Sequence, residues 1–183
     1  MRRTFGPLRG VPARELSRWL QAPGSLSARL AARCERFEVR LLRQAKTRAW
    51  AHERDALALR DAALGREVLL CCDGEPVVLA RSLVEARATR LAWRALKGLG
   101  TRPLADLLFG TRGAQRSALE FARFAPASRE ARWARQAWRQ ATGSEWAARS
   151  VWARRSVFTL RGVPLSVMEC FAPIITHLSL IHI

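Results

Sequence analysis

The chain has 183 residues, 49% of them apolar, and carries 32 basic against 15 acidic side chains for a formal net charge of +17. That length supports one domain with a real core and is short for two, and the apolar content excludes a disordered chain. The positive charge is nearly all arginine, since Lys46 and Lys97 are the only lysines. Such a balance leaves nucleic acid, an anionic membrane surface and an anionic substrate all eligible as partners.

The opening Met1-Arg2-Arg3-Thr4-Phe5-Gly6-Pro7 leads into more charge, with no apolar core of signal-peptide length. No uninterrupted apolar run is long enough to span a bilayer. Cys34, Cys71, Cys72 and Cys170 make no CxxC pair, so they read as reduced, packed thiols of a cytoplasmic protein.

In chain order, Leu16, Trp19 and Leu20 space a short helix over 13–21, which Pro23-Gly24 ends. Ser25 is placed to cap a second helix running to about Cys34. Phe37, Val39 and Leu41 alternate, predicting a strand over 36–43, while 45–63 is ambiguous between helix and irregular chain. Residues 88–99 read as a helix with a Leu91, Ala95, Leu96, Leu99 stripe. Pro103 starts a further short helix to about Phe109. Another strand is expected over 116–124, with Leu119 and Phe121 on one side.

The most informative stretch is Gly65 to Ser82. Two apolar, β-prone runs flank Asp73-Gly74, a pair suited to the positive φ angles of a tight hairpin turn. The strands are expected over 67–72 and 77–84, and alternation puts Arg66 on the face of Val68, Leu70 and Cys72. An arginine on an apolar strand face is costly unless an anion meets it. A second hairpin is expected from 152–160 and 163–172 around Arg161-Gly162, where Glu169 shares a face with Val163, Leu165, Val167 and Phe171. Arg66 and Glu169 are then either a buried structural ion pair or the groups that hold opposite ends of a small polar ligand. Strands and helices mix without βαβ alternation, so the expected fold class is α+β: a single domain of antiparallel sheet flanked by helices.

Residues 129–155 interleave arginines with Trp133, Trp138, Trp146 and Trp152. Such a segment can bind phosphates and bases or sit at a membrane interface. On a helix, however, Trp133 and Trp138 lie about 140° apart. The plainer reading is a solvated helix, with Arg132, Arg135 and Arg139 on one side and the tryptophans packed on the domain.

The blocks Arg66-Glu67-Val68-Leu69-Leu70-Cys71-Cys72-Asp73-Gly74-Glu75-Pro76, Ala80-Arg81-Ser82, Leu99-Gly100-Thr101-Arg102-Pro103-Leu104 with Leu108-Phe109, and Trp152-Ala153-Arg154-Arg155-Ser156 through Glu169 and Phe171-Ala172-Pro173 resemble the chorismate lyase family in order and spacing. The resemblance is carried by 65–109 and 152–173. It implies a monomeric α+β domain over 1–183 with an enclosed aromatic-acid site, which removes pyruvate from chorismate to leave 4-hydroxybenzoate at the start of ubiquinone biosynthesis. By resemblance, Arg66 binds the ring carboxylate and Glu169 the ring hydroxyl, and the backbone amides of Leu26 and Leu104 also hold the carboxylate. Aromatisation drives the reaction, so no metal and no cofactor is implied. Arg81 is a candidate for a second anion, or else a surface strand arginine. A basic Arg/Trp insertion over 126–150 and an apolar tail over 174–183 stand outside the family pattern. The tail is open to docking as a strand, to a membrane-surface contact or to fraying.

Two rival functions compete with this enzyme. One is a non-catalytic ligand sensor of the same fold, for which the region before Arg36 is short of a winged DNA-binding element. The other is a nucleic-acid module using the Arg/Trp segment, which would bind with strong salt dependence. Hydrolase chemistry has no support, because His52, His177 and His182 form no HExxH and there is no Gly-x-Ser-x-Gly.

Overall fold

A computed structural model describes residues 4–10, 12–59 and 62–178. Seven strands, β1 (Phe37–Thr47), β2 (Ala63–Cys72), β3 (Glu75–Glu85), β4 (Gln115–Arg116), β5 (Glu120–Phe124), β6 (Val151–Leu160) and β7 (Val163–Phe171), form one sheet. Its order is β1-β2-β3-β7-β6-β4, with β5 also paired to β6, and every pairing is antiparallel. Both hairpin turns use the expected residues: Asp73 and Gly74 take φ of 52° and 85°, Arg161 and Gly162 51° and 76°. Two successive positive φ angles give a turn whose twist matches the strands it joins.

Helices cover both faces. On one lie α1 (Arg14–Gln21), α2 (Leu26–Ala31) and α4 (Leu104–Gly110). Trp19, Leu20, Leu26 and Leu30 pack there on Val68, Leu70, Val78 and Phe171. The other face carries α3 (Ala51–Leu57) and α5 (Arg129–Thr142), where Trp50, Ala131, Ala134 and Trp138 pack on Leu69, Cys71, Leu79, Met168 and Cys170. Adjacent Cys71 and Cys72 thus enter different cores, as strand alternation requires. No helix among the described residues is long and apolar enough to cross a membrane.

Several boundaries differ from expectation. The second helix stops at Ala31, although Ser25 caps it through the Ala28 amide at 3.1 Å. The ambiguous 45–63 segment holds the end of β1 and α3. The expected 88–99 helix is two 3-10 turns, Ala86–Arg90 and Arg94–Gly98, because Trp93 is drawn into the core and its indole N–H bonds the Val163 carbonyl at 3.0 Å. Leu91, expected on the buried stripe, is exposed. The strand over 116–124 is divided between β4 and β5. Of the apolar tail, Pro173–His177 forms a 3-10 turn that buries Ile175, and residues 179–183 lie outside the described residues.

The basic segment forms α5 as a solvated helix. Trp133 packs edge-on to Trp50 at 5.2 Å and Trp138 to Trp146 at 5.0 Å. The expected arginine row binds this chain's own neighbouring loops: Arg132 the Ala127 carbonyl, Arg135 those of Pro126 and Arg149, and Arg139 the Glu145 carboxylate.

Two predictions test this packing. A Cβ on buried Gly65 would sit 2.7 Å from Thr47 Cγ2 on the neighbouring strand, and a β-branched threonine has little freedom to yield. Gly65→Ala is expected to lose about 1–3 kcal/mol by overpacking, read as a lowered denaturation midpoint. Burial also pushes the Cys71 thiol up to about 11, and those of Cys72 and Cys170 higher still. The thiolate is the reactive form. A thiol reagent at pH 8 should therefore modify half-buried Cys34 first and reach the other three only after unfolding.

Candidate active site

One hairpin irregularity decides which arginines meet in the site. Cys71 pairs with Pro76, but Leu70 pairs with Val78, so Val77 is an extra residue on β3. A bulge of this kind shifts the register by one and turns every later side chain to the other face. Arg66 consequently lies opposite Ser82, and Glu67 lies opposite Arg81. Without the bulge, Arg66 and Arg81 would face each other.

Arg66, Val68, Leu70, Ala80, Ser82, Val167 and Glu169 form the floor of a cavity on the α1/α2/α4 face. Leu26 and Ser27 of α2 and Leu104, Leu108 and Phe109 of α4 close over it, and Arg116, Ser156 and Phe158 form the far wall. The cavity opens to solvent, and the empty space in it and at its mouth together comes to about 580 Å³. Small-molecule sites are mostly apolar with a few placed polar groups, as here.

Arg66 is buried, with 4% of its surface exposed. Its Nη2 donates to the carbonyls of Gly100 and Arg102, at 2.9 and 3.1 Å. Gly100 takes φ of 58°, a conformation that suits glycine and bends the loop onto the guanidinium. The same loop runs through Pro103 into Leu104, the first residue of α4, which explains why 99–104 forms one sequence block. Nε of Arg66 is buried without a partner, and no carboxylate among the described residues pairs with this side chain. Burial lowers its pKa to about 10, so it stays charged at neutral pH.

Glu169 is not the partner of Arg66. Its Oε2 accepts from Nε of Arg154 at 2.5 Å, directly across the β6–β7 hairpin. Arg154 is fully buried, and its Nη1 also donates to the carbonyls of Trp19, Leu20 and Ala22 at the C-terminal end of α1. A cation at that end meets carbonyls that lack helical partners and the negative end of the helix dipole. Glu169 lines the cavity, and its Oε1 takes no hydrogen bond among the described residues. Arg66 and Glu169 are two strands and two residues apart, so their Cα atoms are about 12 Å apart by sheet geometry. Their side chains converge on a gap between them.

Leu26 and Leu104 are the first residues of α2 and α4. Backbone N–H groups at that position have no carbonyl one turn back to bond. Both residues line the cavity beside Arg66.

Arg81 is elsewhere, and the second-anion role considered for it is withdrawn. The bulge turns it to the opposite face, where it bonds Glu53 at 2.7 Å and Glu67 at 2.5 Å and stacks on Trp50 at 4.4 Å. It is neither a cavity group nor a surface strand arginine, being 3% exposed. Arg81→Ala should cost about 3–5 kcal/mol, because it strands two largely buried carboxylates. Chemical denaturation would measure that loss. Arg154 and Arg116 also build the site, though neither is among the residues expected there.

A partly enclosed cavity in an α+β domain, with an unmatched cation at one end and a carboxylate at the other, defines a site for a small polar anion. The chain belongs to the chorismate lyase family, whose model matches residues 9–178. It is 47% identical over 166 residues to a "Probable chorismate pyruvate-lyase" of Albidiferax ferrireducens, covering 90% of this chain and 84% of that one. An Azoarcus protein of the same description is 44% identical, covering 88% and 86%. Among solved structures, the fold is like the effector domain of PhnF from Mycobacterium smegmatis, with a TM-score of 0.54, 14% identity, and 82% of this chain and 89% of that chain covered. It is also like the ligand-binding domain of a GntR-family transcriptional regulator from Bordetella bronchiseptica, with a TM-score of 0.51, 20% identity, and 75% and 85% covered.

Proposed function

We propose that this protein is a chorismate lyase, converting chorismate to 4-hydroxybenzoate and pyruvate and feeding ubiquinone biosynthesis. The observation that carries the reading is Arg66: a buried, charged guanidinium on a cavity wall with no anion of its own among the described residues. Leaving such a charge unpaired is costly, and a ligand carboxylate relieves the cost. A guanidinium grips a carboxylate through parallel hydrogen bonds. The first amides of α2 and α4 supply further donors to the same group. Across the ring, Glu169 accepts from the hydroxyl through the oxygen that Arg154 leaves unused.

The chemistry then asks little more than geometry. Holding the ring by two para groups orients the scissile ether, and the developing aromatic system supplies the driving force. Arg154 fixes the rotamer of Glu169, so it acts as a positioning residue. In this reading the protein works as a monomer, as the resemblance to the family implies. The unpaired buried thiols support a cytoplasmic setting.

The test is chorismate turnover by the purified protein, following both products. Equimolar 4-hydroxybenzoate and pyruvate are expected. Binding of 4-hydroxybenzoate without turnover would replace the enzyme with the sensor reading that the regulator-like fold also accommodates.

A further inference from the structure

Chorismate has two carboxylates, and Arg66 accounts for one. We propose that Arg116 anchors the second, the carboxylate on the departing enolpyruvyl group; this rests on the chorismate lyase reading above. Three observations carry it.

The first is placement. Arg66, Ser82, Val167 and Ser156 form one transverse row across β2, β3, β7 and β6. Arg116 on β4 donates from Nε to Ser156 Oγ at 3.0 Å, which sets its guanidinium at the far end of that row. The cavity thus has an arginine at each end.

The second is availability. Arg116 Nη1 donates to the Gly24 carbonyl at 2.7 Å, and its ring contacts are Phe109 at 5.7 Å and Phe158 at 5.4 Å. Neither the hydrogen bonds nor the rings supply a negative charge, and no carboxylate among the described residues pairs with it. Its Nη2 donates no hydrogen bond among the described residues. Arg154, the other arginine nearby, has its charge met by Glu169 and its Nη1 on three carbonyls; its buried Nη2 has no partner among the described residues, but Arg154 does not line the cavity.

The third is the match to connectivity. In chorismate the enolpyruvyl ether is on the ring carbon next to the one bearing the hydroxyl. The group that holds the second carboxylate must therefore lie near Glu169 and away from Arg66. Arg116 meets that requirement: burial and the charge of Arg154 lower its pKa, and Glu169 is the carboxylate close enough to raise it.

The chemical role follows. In the elimination the ring C–O bond breaks and its electron pair leaves with the enolpyruvyl oxygen. The hydrogen on the hydroxyl-bearing carbon departs as a proton, its electrons completing the aromatic ring, and a proton taken up at the enol methylene gives pyruvate. Negative charge grows on the departing fragment, so a cation on that fragment's carboxylate stabilises the transition state more than the ground state.

The experiment compares wild type with Arg116→Met for chorismate turnover and for 4-hydroxybenzoate affinity by calorimetry. Expected is a fall in kcat/KM of about 100-fold or more, with the product's Kd within about threefold of wild type, since the product lacks the second carboxylate. Turnover equal to wild type would overturn the proposal. So would an equal loss of product affinity, which would make Arg116 a clasp on the Gly24 loop. Should the variant not fold, wild type is offered 3-(carboxymethoxy)-4-hydroxybenzoate and the corresponding carboxamide. A preference for the acid of about tenfold or more supports the second anchor, and equal affinity removes it. Wild type that turns over no chorismate would instead remove the underlying reading, and this proposal with it.

Discussion

Replacing Arg66 with alanine is expected to weaken 4-hydroxybenzoate binding about a hundredfold or more while leaving the unliganded protein as stable as wild type, or more so. Two charge-assisted hydrogen bonds to a carboxylate contribute about 3 kcal/mol or more, which sets the affinity change. The stability result follows from what Arg66 lacks. Its protein bonds are to two carbonyls, and no carboxylate is stranded when it goes. Removing a desolvated, unmatched cation also relieves a standing penalty. Arg66→Lys should recover little, since an ammonium cannot reproduce the planar fork. Calorimetry with the product and thermal denaturation without it read the two halves separately, and an unchanged affinity for 4-hydroxybenzoate would sink the assignment of Arg66.

Glu169→Ala is expected to behave oppositely, losing stability as well as activity. It leaves the fully buried Arg154 without its counter-ion. Breaking buried pairs costs about 3–5 kcal/mol, and the carbonyls at the end of α1 that still hold Arg154 argue for the lower end. For a chain of this size about 3 kcal/mol lowers the melting temperature by roughly 6–12 °C. The double variant Arg154→Met with Glu169→Leu removes both charges from the same site and should regain most of that stability, with no lyase activity. If the double variant melts no higher than Glu169→Ala, the ion pair is not what Glu169 contributes to the fold.

The two hairpins were legible because their turns announce themselves. Asp73-Gly74 and Arg161-Gly162 fix where the strands reverse, and alternation then puts Arg66 and Glu169 on one face. Arg154 was equally legible in principle. Equal steps back from Leu160 and forward from Val163 reach Arg154 and Glu169, so the pair follows from the turn alone. Arg81 was not. A bulge at Val77 has no signal in strand alternation beyond the neighbouring Pro76, which lacks an N–H for the ladder. Arg116 was hidden for another reason. Its two-residue strand is too short to show a period, and it is placed by pairing with β6. The 3-10 turns around Trp93 depend on a tertiary hydrogen bond to Val163, which local propensity does not report.

The seam between β3 and β7 has a bearing on biosynthesis. Arg66 is translated more than a hundred residues ahead of Glu169, yet the two walls meet only when β7 zips onto β3. A nascent chain that has emerged through β3 has α1, α2 and α3 to lay on the hairpin, but the edge of β3 that pairs with β7 is still open and the cavity lacks its far wall. Contacts between such distant segments close slowly, and exposed strand edges invite aggregation meanwhile. Ligand capture therefore waits for β7, and a polypeptide that stops short of it lacks Val167 and Glu169 of the cavity floor.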